Sequence, residues 1–153
     1  MRTIKFRGIH DCKWTFVYGD LVQDGRNLLI QTYDTWDGGA TQVKPDSVGQ
    51  FTDCYDGGGN EIYEGDYLEI DFEGAAKIIG DGSLISDLKA SKPTPEAQLH
   101  VEYRQARFEL VWRTKNGGVD TGVGLYLIEP IKKFVKVKGS ATNGNGQCEL
   151  RFA

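Results

Sequence analysis

Residues 48–66 of this chain read Val-Gly-Gln-Phe-Thr-Asp-Cys-Tyr-Asp-Gly-Gly-Gly-Asn-Glu-Ile-Tyr-Glu-Gly-Asp. A short strand-like piece, Val48 to Thr52, runs into a turn with three consecutive glycines. The segment Glu61-Ile62-Tyr63-Glu64-Gly65-Asp66 then opens an alternating run. Leu68, Ile70 and Phe72 fall on one side of it; Tyr67, Glu69, Asp71 and Glu73 fall on the other. A period of two is the mark of a half-buried strand. Gly65, where the chain enters that strand, permits a positive φ or a bulge, and either bends a strand. Gly49 can do the same in the preceding strand. The pattern describes small, tightly wound β-structure and names no reaction.

The rest of the chain repeats this grammar. Ile4 and Phe6 alternate with Lys5 and Arg7; Trp14, Phe16 and Tyr18 alternate with Thr15 and Val17. Leu28-Leu29-Ile30 is apolar on both sides, as in a central strand. Later, Leu99, Val101 and Tyr103, then Phe108, Leu110 and Trp112, mark two strands, and Asn116-Gly117-Gly118 marks a hairpin turn. Gly122 to Ile128 reads as a strand stopped by Glu129-Pro130. Val135 and Val137 alternate with Lys136 and Lys138, and Cys148, Leu150 and Phe152 form a last strand. Ala75 to Ile79 is expected to continue the Leu68 strand or pair back on it. Only 80–98 changes character: Ser83 is placed to cap a short helix with Leu84, Ile85 and Leu88 on one face. About ten short strands predict an all-β fold of two small lobes, built as barrels or a sandwich, with at most one short helix. The lobes are placed at 1–52 and 53–153, with 80–98 an excursion from the second.

Composition narrows the class. At 153 residues the chain can bury about 68–70% of its unfolded surface, so its core needs no disulfide staple. Its 20 glycines, with only 4 prolines, suit turns between many strands. A net charge of −4 gives no general pull toward nucleic-acid phosphates. Cys12, Cys54 and Cys148 form no CxxC pair, and an odd set of separated thiols suits a reducing compartment. No leader-like start and no run of roughly 20 apolar residues are visible, so a cytoplasmic location with no membrane is expected.

In order along the chain, Ile4-Lys5-Phe6-Arg7-Gly8, Tyr18-Gly19-Asp20-Leu21, Val48-Gly49-Gln50-Phe51-Thr52 and Glu61-Ile62-Tyr63-Glu64-Gly65-Asp66 resemble the YopX-type proteins of bacteriophages and prophages. These blocks cover roughly the first 75 residues. The resemblance implies two small β-barrels, one SH3-like, a phage or mobile-element origin, and no enzyme activity, hence no catalytic residue to carry over. Its signature positions here are Arg7, Gly49, Gln50, Tyr63, Glu64, Gly65 and Asp66, read as structural. Arg7 is expected to pair with Glu64 or Asp66, because a planar guanidinium meets a carboxylate with two bonds.

Other chemistry is weakly signalled. His10, Asp11, Cys12, Cys54 and His100 hold only a fragment of a zinc set, so no metal or cofactor is expected. Asp53, Asp56, Glu61, Glu64 and Asp66 are dense, but a glycine-rich turn gives no fixed carboxylate separation and reads as a solvated loop. There is no Gly-x-Ser-x-Gly elbow and no phosphate loop. A protein-binding or assembly module, with an unknown partner or self-association, is the favoured reading. The alternative is a single-stranded nucleic-acid binder. Its basic groove would be Lys132, Lys133, Lys136 and Lys138, with Tyr33, Trp36, Trp112 and Tyr126 as stacking platforms; Trp36 and the four lysines are the candidate binding surface.

Overall fold

The computed structural model describes residues 2–33, 39–79, 84–141 and 149–150. Strands β1 (Phe6–Ile9), β2 (Phe16–Asp24), β3 (Asn27–Thr32), β4 (Ala40–Val43), β5 (Gly49–Tyr55) and β6 (Glu61–Tyr63) form one sheet, in the order β4-β3-β2-β1-β5-β6. Strands β7 (Asp66–Ile70), β8 (Gln98–Arg104), β9 (Arg107–Thr114), β10 (Gly117–Gly124), β11 (Val135–Ala141) and β12 (Glu149–Leu150) form the other, in the order β10-β9-β8-β7-β11-β12. Every pairing is antiparallel. The chain crosses from the first sheet to the second at Glu64–Gly65, so β5 and β6 both belong to the first.

The first sheet curls until its far strand meets its middle. His10 bridges Val43, the Lys44 N–H donates to the Ile9 carbonyl at 2.8 Å, and the Asp11 N–H donates to the Gln42 carbonyl at 3.1 Å. Ile9, Ile30, Val43 and Phe51 are buried in this half. The second sheet carries the larger core, in which Leu68, Ile70, Leu99, Val101, Leu110, Trp112, Val135 and Val137 cluster with Ile62 of β6. Burying one such side chain contributes about 1.5–3 kcal/mol, so this cluster is the main source of stability.

Two helices are present where one was expected: the helix at Leu84–Ala90 lies where that one was placed, and the helix at Phe72–Ile79 takes Ala75 to Ile79 out of the expected strand. Helix α1 (Phe72–Ile79) follows β7 directly, and helix α2 (Leu84–Ala90) follows it. The alternation that placed Phe72 in a strand stops at Ile70. Asp71, assigned by that alternation to a wet strand face, accepts the Gly74 N–H at 3.0 Å through its side chain and the Ala75 N–H through its carbonyl. That is an N-cap, and it starts a helix. Ala75 is buried against the core and Phe72 is half-buried beside it. A second correction concerns 122–128: β10 ends at Gly124, and Leu125–Phe134 forms 3-10 turns broken by a kink at Ile131, just after Pro130. Ser83, Trp36, Cys148 and Phe152 lie outside the described residues. No described helix is long and apolar enough to cross a membrane.

Candidate functional site

Arg7 sits in the middle strand of the first sheet, and its side chain is almost fully buried. Its guanidinium donates to the Asp66 carboxylate and, at 2.7 Å, to the Ser140 hydroxyl of β11. Two rings enclose it: Phe16 at 4.4 Å and Tyr63 at 4.6 Å from the guanidinium carbon to the ring centre. A desolvated cation between aromatic faces gains from both quadrupoles. The other Asp66 oxygen accepts the Tyr63 N–H at 2.8 Å. Burial pushes the Asp66 carboxyl above its ordinary range, against the pull of Arg7 and the Tyr63 amide.

The neighbouring signature residues hold this centre. Gly65 adopts φ +91°, where a side chain would be strained. A methyl on Gly49 would lie 2.3 Å from the Glu64 carbonyl oxygen, so the corner can close only over glycine. The Gln50 carbonyl accepts the Glu64 N–H at 3.0 Å. Glu64 makes no ion pair with Arg7; burial raises its carboxyl, the Gln50 backbone N–H opposes this, and Glu102 adds to it. Tyr63 packs between Tyr18 and Phe51 and donates its hydroxyl to Glu61 at 2.6 Å, and Lys5 closes the chain on the other Glu61 oxygen at 2.5 Å. Burial, then the Glu61 bond, raises the Tyr63 phenol. These contacts fasten the two sheets to one another.

The glycine turn differs from the solvated loop the sequence suggests. Asp56 is buried, and its carboxylate accepts the Gly58 N–H (2.9 Å), the Asn60 N–H (2.8 Å), the Asn60 amide (3.0 Å) and the Val137 N–H (3.1 Å) of β11. Burial works against the charged form, but these donors prevail and hold its pKa below the usual value. The signal was present: an Asp followed by glycines is an Asx-turn, whose side chain caps its own backbone. Gly57 is required there, since a methyl would lie 2.8–2.9 Å from the Lys132 and Lys133 carbonyl oxygens.

Lys132 faces Glu129 at 3.6 Å, Lys138 faces Glu69 at 3.4 Å, and Lys133 lies over the Phe134 ring. Lys136 is exposed on β11. Trp112, expected as a platform, is buried in the core and donates its indole N–H to the Leu88 carbonyl at 3.0 Å. Tyr33 and Tyr126 are exposed. His10, Asp11 and Cys12 bring their ligand atoms within 4.8 Å of one another on an exposed turn, where the His10 Nδ1 already accepts the Cys12 N–H. His100 is elsewhere, buried and stacked on Tyr67.

A cleft of about 200 Å3, unannounced by any sequence motif, opens where the first sheet meets the β8–β9 hairpin. Thr52 and Cys54 of β5 and Leu125 line it, with Tyr103, Ala106, Arg107 and Phe108 from the hairpin, and Arg2 and Tyr126 at its rim. Burial raises the Cys54 thiol and favours its neutral form, against the pull of the Thr52 hydrogen bond. Among the described residues only Asp53 (φ +65°), Gln105 (+50°) and Ala106 (+63°) are non-glycine residues with positive φ. All three border this cleft: Ala106 lines it, Gln105 precedes Ala106, and Asp53 lies between Thr52 and Cys54. Gln105 and Ala106 are the two central residues of the β8–β9 hairpin, where a type I′ turn takes positive φ at both, and Asp53 sits at the irregularity in the β5–β6 register.

No protein-family model and no curated protein matches this chain. Two antiparallel six-stranded sheets fastened by a buried arginine–aspartate pair define it as a mostly β protein with an open cleft at the junction of its sheets.

Proposed function

We propose that this chain is a non-enzymatic binding or assembly module of the YopX-like, phage-related type, built from two small β-barrel lobes of which the second is SH3-like. The ordered sequence blocks in the first 75 residues support the family reading, and they fall on the first sheet and the corner that leaves it. The return of β4 to the end of β1 supports a barrel for the first lobe. The unpaired thiols Cys12 and Cys54 support a reducing cytoplasm.

The observation that carries the binding role is the edge at β10. Of the four terminal strands, β6 and β12 span three and two residues, and β4 is bridged back to β1. Strand β10 spans eight residues, is paired only with β9 among the described residues, and exposes Gly117 to Asp120. An open edge accepts a partner strand by main-chain hydrogen bonds. The bulge between Asp120 and Val123 restricts this to the first half of the strand. Light scattering over a wide concentration range tests a second copy as the donor. Wild type is expected to form dimers that Val119→Lys abolishes; a wild-type monomer at the highest concentration removes self-assembly through this edge.

A further inference from the structure

We propose that the turn between β1 and β2 binds one divalent transition-metal ion of the zinc class through His10, Asp11 and Cys12, with a fourth position open to water. This site is independent of the β10 edge. An imidazole nitrogen, a carboxylate oxygen and the thiol sulfur of these residues all lie within 4.8 Å of one another. His10 Nδ1 stands 3.4 Å from an Asp11 carboxylate oxygen. Two zinc bonds of about 2.0–2.2 Å meeting at the tetrahedral angle hold their ligand atoms roughly 3.3–3.6 Å apart, so this pair already has the spacing an ion requires. The Cys12 thiol is hydrogen-bonded to the same carboxylate and is exposed, so its side chain is free to swing the remaining distance, of order 1 Å for a Zn–S bond of about 2.3 Å.

The hydrogen bonds favour the same reading. His10 Nδ1 accepts the Cys12 N–H at 3.1 Å, so it carries a lone pair and no proton. The Asp11 carboxylate only accepts. Two lone-pair atoms therefore face each other, and a cation between them relieves their repulsion. The amide bond also fixes the tautomer that a metal at Nδ1 needs, and the exposed Cys12 N–H can turn to water when the ion replaces it. The backbone of the turn is held from two sides. The His10 N–H donates to the Thr15 carbonyl at 3.0 Å and the Lys13 N–H to the His10 carbonyl at 3.3 Å; the Asp11 N–H donates to Gln42 of β4, and His10 bridges Val43. Ligands on a backbone fixed in advance lose less freedom on binding. A thiolate with an imidazole selects a zinc-like ion over Mg2+ and Ca2+, which take oxygen ligands. Asp11 and the thiolate together match the charge of a divalent ion. Lys13 and Lys44 act on the thiol from nearby, and Lys44 lies over the Trp14 ring at 4.8 Å. Both favour the thiolate and oppose the ion, so they offset themselves in part.

Cobalt(II), titrated into the reduced full chain as a spectroscopic stand-in for zinc, tests the site. A thiolate-to-cobalt charge-transfer band that saturates at one ion per chain is expected, and added zinc should bleach it. Cys12→Ser should abolish the band. His10→Gln and Asp11→Asn should each weaken cobalt binding by roughly tenfold or more, the scale on which even outer partners of a metal site act. Cys54→Ser/Cys148→Ser should keep the band, which separates Cys12 from the other thiols. Asp11 and Cys12 are exposed, and matched thermal midpoints of the metal-free variants separate lost ligation from lost fold. No band in the wild type, a band that survives Cys12→Ser, or a band lost in Cys54→Ser/Cys148→Ser overturns the site. Unchanged cobalt affinity in both His10→Gln and Asp11→Asn also overturns it, because the thiol would then bind alone.

Discussion

Arg7 of β1 and Asp66 of β7 form a fully buried ion pair across the junction of the two sheets, although 59 residues separate them in sequence. Each sheet contributes one partner, so the pair closes only when both lobes are folded and docked. Ser140, from a third distant strand, completes the donor set and ties β11 to the same point.

Breaking that pair should be costly. Arg7→Met leaves a buried carboxylate without its cation, and Asp66→Asn leaves a buried guanidinium; each is expected to lose about 3–5 kcal/mol in urea unfolding. The Arg7→Met/Asp66→Asn double variant should lose less than the two single losses added together. Simple additivity would show that the two groups do not stabilise each other.

Glycine at the corner is required by backbone geometry. Gly65→Ala should cost roughly 1–3 kcal/mol through its positive φ. Gly49→Ala should cost more, because its methyl meets backbone oxygen at 2.3 Å and the strand must move. Thermal midpoints of the two variants in one buffer give the ranking, and a Gly49→Ala protein as stable as wild type would refute the close approach.

Acid should loosen the glycine turn. The folded pKa of Asp56 lies below its ordinary 3.8, so the folded state binds its proton less readily than the unfolded chain does. Its stabilisation is complete above that ordinary value and is lost as pH falls through the folded pKa. Glu61 behaves in the same sense: burial opposes its charge, but Lys5 and the Tyr63 hydroxyl lower its pKa. Asp56→Asn should be less stable near neutrality and show a shallower fall of the urea midpoint in acid. Parallel acid limbs for the two proteins would contradict this.

Helix α1 rests on its cap. Asp71→Ala removes the side-chain acceptor for the Gly74 N–H and is expected to cost about 0.5–2 kcal/mol. Amide exchange at Gly74 should accelerate more than the global loss requires, and unchanged exchange there would exclude the cap.

The sequence by itself determined the local periods: the alternations at 16–18, 99–103, 108–112 and 135–138 fall inside β2, β8, β9 and β11, although β2 starts after Trp14 and runs on through Gly19 to Asp24, and Gly65 marks the corner because few other residues tolerate that backbone. It also narrowed the partner of Arg7 to two carboxylates. Only the tertiary structure decided between them, since Glu64 and Asp66 differ in which way the corner points them. The same holds for Asp56, drawn as a wet loop until β11 supplies the Val137 N–H, and for Phe72, whose alternation ends at a cap. The cleft was invisible for the same reason. Arg2, Cys54, Tyr103 and Tyr126 have no shared spacing along the chain and meet only because two sheets dock, and burial and proximity are properties of that docking, which no local pattern encodes.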